Sequence, residues 1–499
     1  MSAASRTALP PHRTLRGTMD WSYGLLTERE QLLLCRLAVF AGSFSLEAAE
    51  RICAVDPIDA EEVLDGISTL VDKSLVVPES SEDQARYRLL ETVRQYGEEH
   101  LRSREELEDA RARHAAFFLA FAEWAAPRVA CGAADLQLIA RISADTDNFR
   151  AVSEWANEDA ARTDVALRLG ASLHWFWYAR GRFEEARIRL STALHRDVPM
   201  DPLVRGNALV ALGHMHFWQG NPVAMLPCME ESLQLLRPVG DPTGLLYALN
   251  GLGMALHVNG RVHESKQYFE EALALTDQVD IPILRGLVLF CHGRAAQDRG
   301  AFAEARRAFE EGLALGRELG HRPGIAHPLI MLGRLTFEEG DIRTADTLLR
   351  ECLAIHRATD DPWGILQGLE GLACCAAVLG NWPRCLRLLG AGELMREHFA
   401  APRSPSEMAQ LQEKVLEFRE RLGEEFERHW EAGRAMTVQA ILDEALLEGM
   451  IEAEPDATPA QVPARLPEPP AAVNGRRPDL EVVTLGSLQV FVEGVFVTP

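Results

Sequence analysis

The residues of this chain best placed for recognition chemistry fall in four triplets: Val210, His214 and Phe217; Asn250, Met254 and His257; Phe290, Arg294 and Gln297; Ile330, Arg334 and Phe337. Each triplet stands at -3, +1 and +4 from a glycine (Gly213, Gly253, Gly293, Gly333), a spacing that puts three side chains on one face of a helix. Aromatic rings, imidazoles and guanidinium groups gathered on one surface suit binding of a peptide or an acidic small molecule. Packing between repeats, with solvated ends, is the other use of such a stripe.

Catalytic patterns are missing. The sequence holds no Gly-x-Ser-x-Gly, no His-Glu-x-x-His and no glycine-rich nucleotide fingerprint. Its three lysines, Lys73, Lys266 and Lys414, never follow a glycine, so the Gly-Lys-Ser/Thr of a phosphate-cradling loop is absent. His214 and His216 are two apart and point to different faces of a helix, which argues against a shared metal. Acidic pairs such as Glu184-Glu185 and Glu270-Glu271 read as solvated helix faces. Trp124, Trp155, Trp175 and Trp177 have the spacing of core residues, a ligand box being the alternative. The expectation is a protein without catalysis, cofactor or metal.

The elements that carry the stripe are set by a second set of glycines. Gly181, Gly220, Gly260, Gly300, Gly340 and Gly380 are separated by 39, 40, 40, 40 and 40 residues, the signature of stacked supersecondary units. Asp201-Pro202, Asp241-Pro242 and Asp361-Pro362 open the first helix of a unit: aspartate caps free amides, and proline gives up an amide that has no intrahelical partner. Looser versions stand at Pro282 and Pro323. The first helix is expected to end near Gly213, Gly253, Gly293 or Gly333, where a positive φ is easily taken. In the second helix a large apolar residue recurs at Leu190, Met229, Phe269, Phe309, Leu349 and Leu389, with small residues such as Ala186, Ser265, Ala305, Ala345 and Cys385 four positions earlier. Small residues mark where another helix comes close.

Leu252-Gly253, Leu332-Gly333 and the Ala305, Phe309 pair resemble the tetratricopeptide pattern, although the unit is longer than that family's usual ~34 residues. The longer period, over roughly residues 160 to 400, resembles the sensor region of large bacterial ATP-dependent transcription regulators. The stretches WSYGLLTEREQLLLCRLAVFAGSFSLEAAERIC, VLDGISTLVDKSLVV and YRLLETVRQYGEEHL are similar to the winged-helix domain of signal-transducing ATPases called STAND proteins. In that family the domain is an arm between an ATP switch and a repeat sensor. A Met-His-Asp motif often ends its hairpin, and the histidine touches nucleotide. Here Leu89, Leu90 and Glu91 hold those positions, and leucine cannot donate the hydrogen bond.

The expected fold is mainly α, with a winged-helix-like domain followed by a tetratricopeptide-like α-solenoid of about 40-residue hairpins and a short C-terminal β stub. Residues 1–13 read as a disordered N-terminus, 14–102 as the arm, 103–160 as irregular connecting helices and 161–400 as the repeat superhelix. Residues 401–451 read as capping helices, 452–478 as a linker with seven of the chain's 26 prolines, and 479–499 as the stub. The stub resembles the opening strands of the winged-helix DNA-binding domain of OmpR-type response regulators and antibiotic-regulatory activators. It stops before a recognition helix, so the resemblance implies a chain lacking that output domain as well as the ATPase.

A net charge of -23, from 51 basic and 74 acidic residues, opposes a polyanion unless a local patch reverses it. The helix expected before the hairpin offers no such patch. It carries Asp59, Glu61, Glu62, Asp65 and Asp72 against Lys73 alone, so direct DNA binding is not expected. Nine cysteines include no C-x2-C, and Cys352, Cys374-Cys375 and Cys385 lie in repeat helices, as suits small buried groups in a reducing cytoplasm. No apolar run reaches the ~18 residues of a membrane span. The reading is a cytoplasmic, non-catalytic sensor or scaffold portion of a bacterial regulator. Its expected partners are a protein or small-molecule effector in the superhelix and a separate or missing NTPase domain. An autonomous protein-binding adaptor and a DNA-binding transcription factor are the alternatives.

Overall fold

The computed structural model describes residues 11–79, 85–130, 136–279, 281–359, 361–398, 419, 422–447, 491–492 and 495–496. The described residues are mainly helical and fall into two units, the first drawn mostly from residues up to 173 and the second from residue 174 onward. None of their helices is long and apolar enough to cross a membrane.

In the first unit, α1 (Pro11–Gly24), α2 (Glu28–Leu37), α3 (Leu46–Cys53) and α4 (Ala60–Asp72) precede a hairpin of β2 (Val76–Glu79) and β3 (Arg86–Leu89). A short β1 (Phe44–Ser45) completes an antiparallel sheet in the order β1-β3-β2, with Phe44 opposite Tyr87 and Val76 opposite Leu89. Helix starts follow local chemistry. Thr27 and Glu30 form a capping box at α2, Asp59 and Glu62 another at α4, and Ser45 accepts from the Ala48 amide at α3. Val63, Ile67 and Leu70 recur at helical spacing on α4 and are fully buried. The helix expected from Thr14 instead begins at Pro11, because proline is tolerated at a first helical turn, so residues 11–13 are helical. Residues 1–10, the rest of the stretch expected to be disordered, lie outside the described residues.

The chain continues through α5 (Glu91–Ser103), α6 (Leu107–Val129), α7 (Leu136–Ala144) and α8 (Thr146–Glu158). Trp124 is not core, being 48% exposed, and Trp155 is half-buried with the Arg162 guanidinium 4.2 Å from its ring centroid. His114 on α6 is buried beside Phe118, with Nε2 3.2 Å from the Asn148 Oδ1, and burial drives its pKa down to about 4. The unfolded chain therefore binds a proton here that the folded chain refuses. This contribution is intact above pH ~6.5 and is lost, at up to about 1.4 kcal/mol per pH unit, as the pH falls toward about 4. Urea midpoints between pH 7 and pH 5 should fall less steeply in His114→Gln than in the parent; equal slopes would refute this.

Helix α9 (Thr163–Ala179) contributes residues up to Leu173 to the first unit and the rest to the second, where α10 (Phe183–Leu194) leads into regular hairpins. These pair α11 (Pro202–Trp218) with α12 (Pro222–Val239), α13 (Pro242–Val258) with α14 (Val262–Leu275), and α15 (Ile283–Asp298) with α16 (Phe302–Glu318). Then α17 (Arg322–Glu338) pairs with α18 (Ile342–Thr359), and α19 (Pro362–Val378) with α20 (Trp382–His398). Asp201, Asp241 and Asp361 accept from the amides of Leu203, Gly244 and Gly364, and at α17 the Nδ1 of His321 takes that role toward Gly324.

The two sets of glycines have different jobs. Each first helix runs on past Gly213, Gly253, Gly293 or Gly333 and ends at the beat glycine, with φ between +73° and +88° at Gly220, Gly260, Gly300 and Gly340. The expected helix end at the second glycines is thus wrong. They lie mid-helix because the second helix crosses there: a Cβ on Gly253 would sit 2.7 Å from Phe269 Cε1, and one on Gly293 2.5 Å from Phe309 Cε1.

Of the expected capping helices, α21 (Glu424–Arg434) packs on α20, and α22 (Val438–Leu446) packs on α18 and α20. Arg384 donates to the Ala445 carbonyl at 2.9 Å, and Arg387 pairs with Glu444 at 2.7 Å. The stretch 399–418 and the linker 452–478 lie outside the described residues. In the stub only β4 (Phe491–Val492) and β5 (Val495–Phe496) are described, as an antiparallel pair.

Candidate functional site

Within the second unit, α9, α11, α13 and α15 bound a cleft of about 610 Å³, its open mouth included. Of the stripe residues, His214, Phe217, Asn250, Met254, His257, Phe290 and Arg294 line it. Val210, Gln297, Ile330, Arg334 and Phe337 do not. Val210, Ile330 and Phe337 are buried in packing, while Gln297 and Arg334 are partly exposed. The stripe therefore packs between repeats along much of its length and opens a concavity where α11, α13 and α15 meet.

Trp175, Trp218, Val258, Leu287 and Cys291 complete the lining. Trp218 and Val258 lie one position past the stripe, at the last residues of α11 and α13, which run on beyond Gly213 and Gly253. Trp175 and Trp177 are buried, as their spacing predicts. The Trp175 indole donates to the Tyr247 hydroxyl at 3.3 Å, and its ring lies 5.6 Å from Trp218 and 6.1 Å from His214, which makes one wall aromatic.

The polar groups of the cleft differ in how far they are satisfied. His257 Nε2 lies 2.6 Å from the Asp298 carboxylate. Asn250, 1% exposed, donates weakly to the Met254 sulfur at 3.6 Å, and its Oδ1 has no hydrogen-bond partner. His214, 3% exposed, has no partner for Nδ1; burial, reinforced by His174, lowers its pKa to about 3, so the ring is neutral. Arg294 reaches solvent and, among the described residues, has no carboxylate partner. Burial pushes the Cys291 thiol up to about 12, which leaves it a poor nucleophile. His216 is half-buried, away from the cleft lining. Among the described residues no group of three or more His, Cys, Asp or Glu could hold a metal ion.

In the first unit α4 precedes the hairpin, the position of a recognition helix. Its exposed positions include Glu61, Leu64, Asp65, Ser68 and Asp72; Glu62 pairs with Arg29, and Lys73 pairs with Glu30 at 3.1 Å. The one basic residue of the segment is thus neutralised, and the outward face is acidic. Leu89 is buried at the end of β3, Leu90 precedes α5, and Glu91 pairs with Arg94 at 2.8 Å.

Comparison with known proteins agrees with this architecture. Residues 26–102 match the winged helix-turn-helix domain, and residues 204–278 and 285–358 match the tetratricopeptide repeat. The chain therefore carries a winged-helix domain and tetratricopeptide repeats. It is similar to a Mycobacterium tuberculosis protein provisionally named an HTH-type transcriptional regulator, with 32% identity over 390 residues, 76% of this chain and 43% of that protein. This chain thus spans less than half the length of that relative. An uncharacterized protein of the same organism is 41% identical over 115 residues, 23% of this chain and 29% of its own length. Among solved structures, a Signal Transduction ATPase with Numerous Domains (STAND) protein with a tetratricopeptide repeat sensor, from Pyrococcus horikoshii, superposes with a TM-score of 0.51 at 14% identity. The superposition covers 88% of this chain and 68% of that one, a likeness of fold.

Proposed function

We propose that this chain is the non-catalytic arm and sensor portion of a bacterial transcriptional regulator, acting in the cytoplasm. An effector, protein or small molecule, binds the cleft formed by α11, α13 and α15. Binding shifts the regulator between two states for which the effector has unequal affinity. The observation that carries this reading is an aromatic concavity built from three consecutive repeats, in a chain that aligns with a named regulator. Met254→Trp would crowd that cleft from a partly exposed position. In the source bacterium this substitution should change the transcript profile in the same direction as deletion of the gene. An unchanged profile would refute the sensor role.

The winged-helix domain serves in this reading as an arm, because its α4 face presents carboxylates. The match to a winged helix-turn-helix domain favours a second reading, in which the domain binds DNA directly. A labelled duplex at low salt separates the two. The parent chain should show no firm, salt-sensitive binding, whereas a triple Glu61→Lys, Asp65→Lys, Asp72→Lys variant should bind at least about tenfold more tightly. Firm binding by the parent with a steep salt slope would overturn the arm.

A further inference from the structure

We propose that the ligand of the cleft is a small aromatic acid: a flat apolar body carrying one carboxylate and an N–H or O–H donor. This rests on the sensor reading above and adds the chemistry of the effector. The cleft reaches about 610 Å³ only when its open mouth is counted, which leaves room for a small flat molecule and none for a folded domain. Trp175, Trp218, Phe217 and Phe290 supply flat apolar walls.

The charged end is assigned by Arg294. Neighbouring arginines of the repeats are matched to acids: Arg299 with Glu304 at 3.0 Å, Arg306 with Glu339 at 2.6 Å and Arg317 with Glu351 at 2.7 Å. Arg294 has no such partner among the described residues, although the chain carries 74 acidic residues against 51 basic ones. A guanidinium at the edge of an apolar cleft offers a planar, two-pronged site for a carboxylate. His257 is held by Asp298 and does not compete for it.

The donor end is assigned by the interior. Asn250 Oδ1 and His214 Nδ1 are buried polar atoms without partners, on adjacent repeats, and both residues line this one cleft. Buried polar groups in native proteins nearly always have a partner, and an acceptor such as the Asn250 carbonyl oxygen is completed by an N–H or O–H. A carboxylate without an O–H or N–H would leave it empty, an aliphatic body would forgo the aromatic walls, and a cationic ligand would face Arg294.

The test titrates the full chain with 4-hydroxyphenylacetate, its amide and tyramine, which share a body and differ in charge, by calorimetry and tryptophan fluorescence. The acid should bind saturably, and at least about tenfold more tightly than the other two. Arg294→Gln should abolish that preference. Asn250→Leu should raise the melting temperature of the free chain, since it removes an unpaired buried amide, and weaken binding of the acid about tenfold. Equal binding of all three probes, preference for tyramine, absence of binding by the acid, or indifference to both substitutions would each overturn the proposed ligand class. None of these outcomes touches the sensor reading, which stands or falls on the transcript profile of Met254→Trp.

Discussion

Valine at position 293 should destabilise the repeat unit by about 3 kcal/mol or more, one of the largest losses available from a single substitution there. A Cβ built on Gly293 lies 2.5 Å from Phe309 Cε1, 2.9 Å from Cδ1 and 3.0 Å from Cζ of the same ring. Phe309 is fully buried and cannot swing aside. Alanine should already be harmful, and valine adds two methyl groups to the same contact. Seven residues on, Gly300→Ala gives the contrasting case. Gly300 has φ +76° with open space around its Cβ direction, so alanine suffers only the left-handed penalty of about 1–2 kcal/mol. Urea unfolding followed by circular dichroism should rank the two variants in this order. Adding Phe309→Leu to Gly293→Ala should recover part of the loss, as a coupled pair would; the Leu349 side chain already faces Gly333 in the next unit. If Gly293→Val proves as mild as Gly300→Ala, the close-packing role assigned to the inner glycines is wrong.

Loss of the Arg86 guanidinium is expected to weaken the first unit by about 3–5 kcal/mol at pH 7. Arg86 on β3 donates to Asp145 Oδ1 at 2.6 Å and to Ser43 through both Nε and Nη2 at 2.9 Å. Its side chain is 6% exposed and that of Asp145 is 7% exposed. Arg86→Met would leave a buried carboxylate with Asn148 Nδ2 3.4 Å away as the remaining side-chain donor. Burial already pushes the Asp145 carboxyl above its usual range, against the pull of Arg86. Without the arginine only the weaker pull of Arg141 and Asn148 opposes that upward push, so the folded variant shifts toward the protonated acid. Stability then falls as pH rises through the carboxyl range, and the penalty should be smaller at pH 5 than at pH 7. Urea midpoints at both pH values measure this, and Arg86→Met, Asp145→Leu should regain much of the loss. A penalty below about 1 kcal/mol at pH 7 would show that the pair is not what holds β3 to α8.

The division of labour between sequence and fold is clearest at the glycines. Both sets were visible as a beat, and so were the Asp-Pro starts, the capping boxes at Thr27 and Asp59 and the large residues at Phe269 and Phe309. All of these are local: a cap, a turn or an apolar stripe acts over a few neighbouring residues, so the hairpins and the winged-helix element order could be read directly. A glycine, however, can be required for its backbone angle or for its missing side chain. Only the second helix arriving over Gly293 decides which. The cleft follows the same rule. The stripe residues were found from helical spacing, but that His214, Asn250 and Arg294 share one concavity while Ile330 and Phe337 do not depends on how successive hairpins stack. Arg86 and Asp145, 59 positions apart, left no trace in any local pattern. What a few consecutive residues can satisfy among themselves the sequence alone determined; what requires a surface from a distant part of the chain, above all the unpaired groups of the cleft, was decided by tertiary packing.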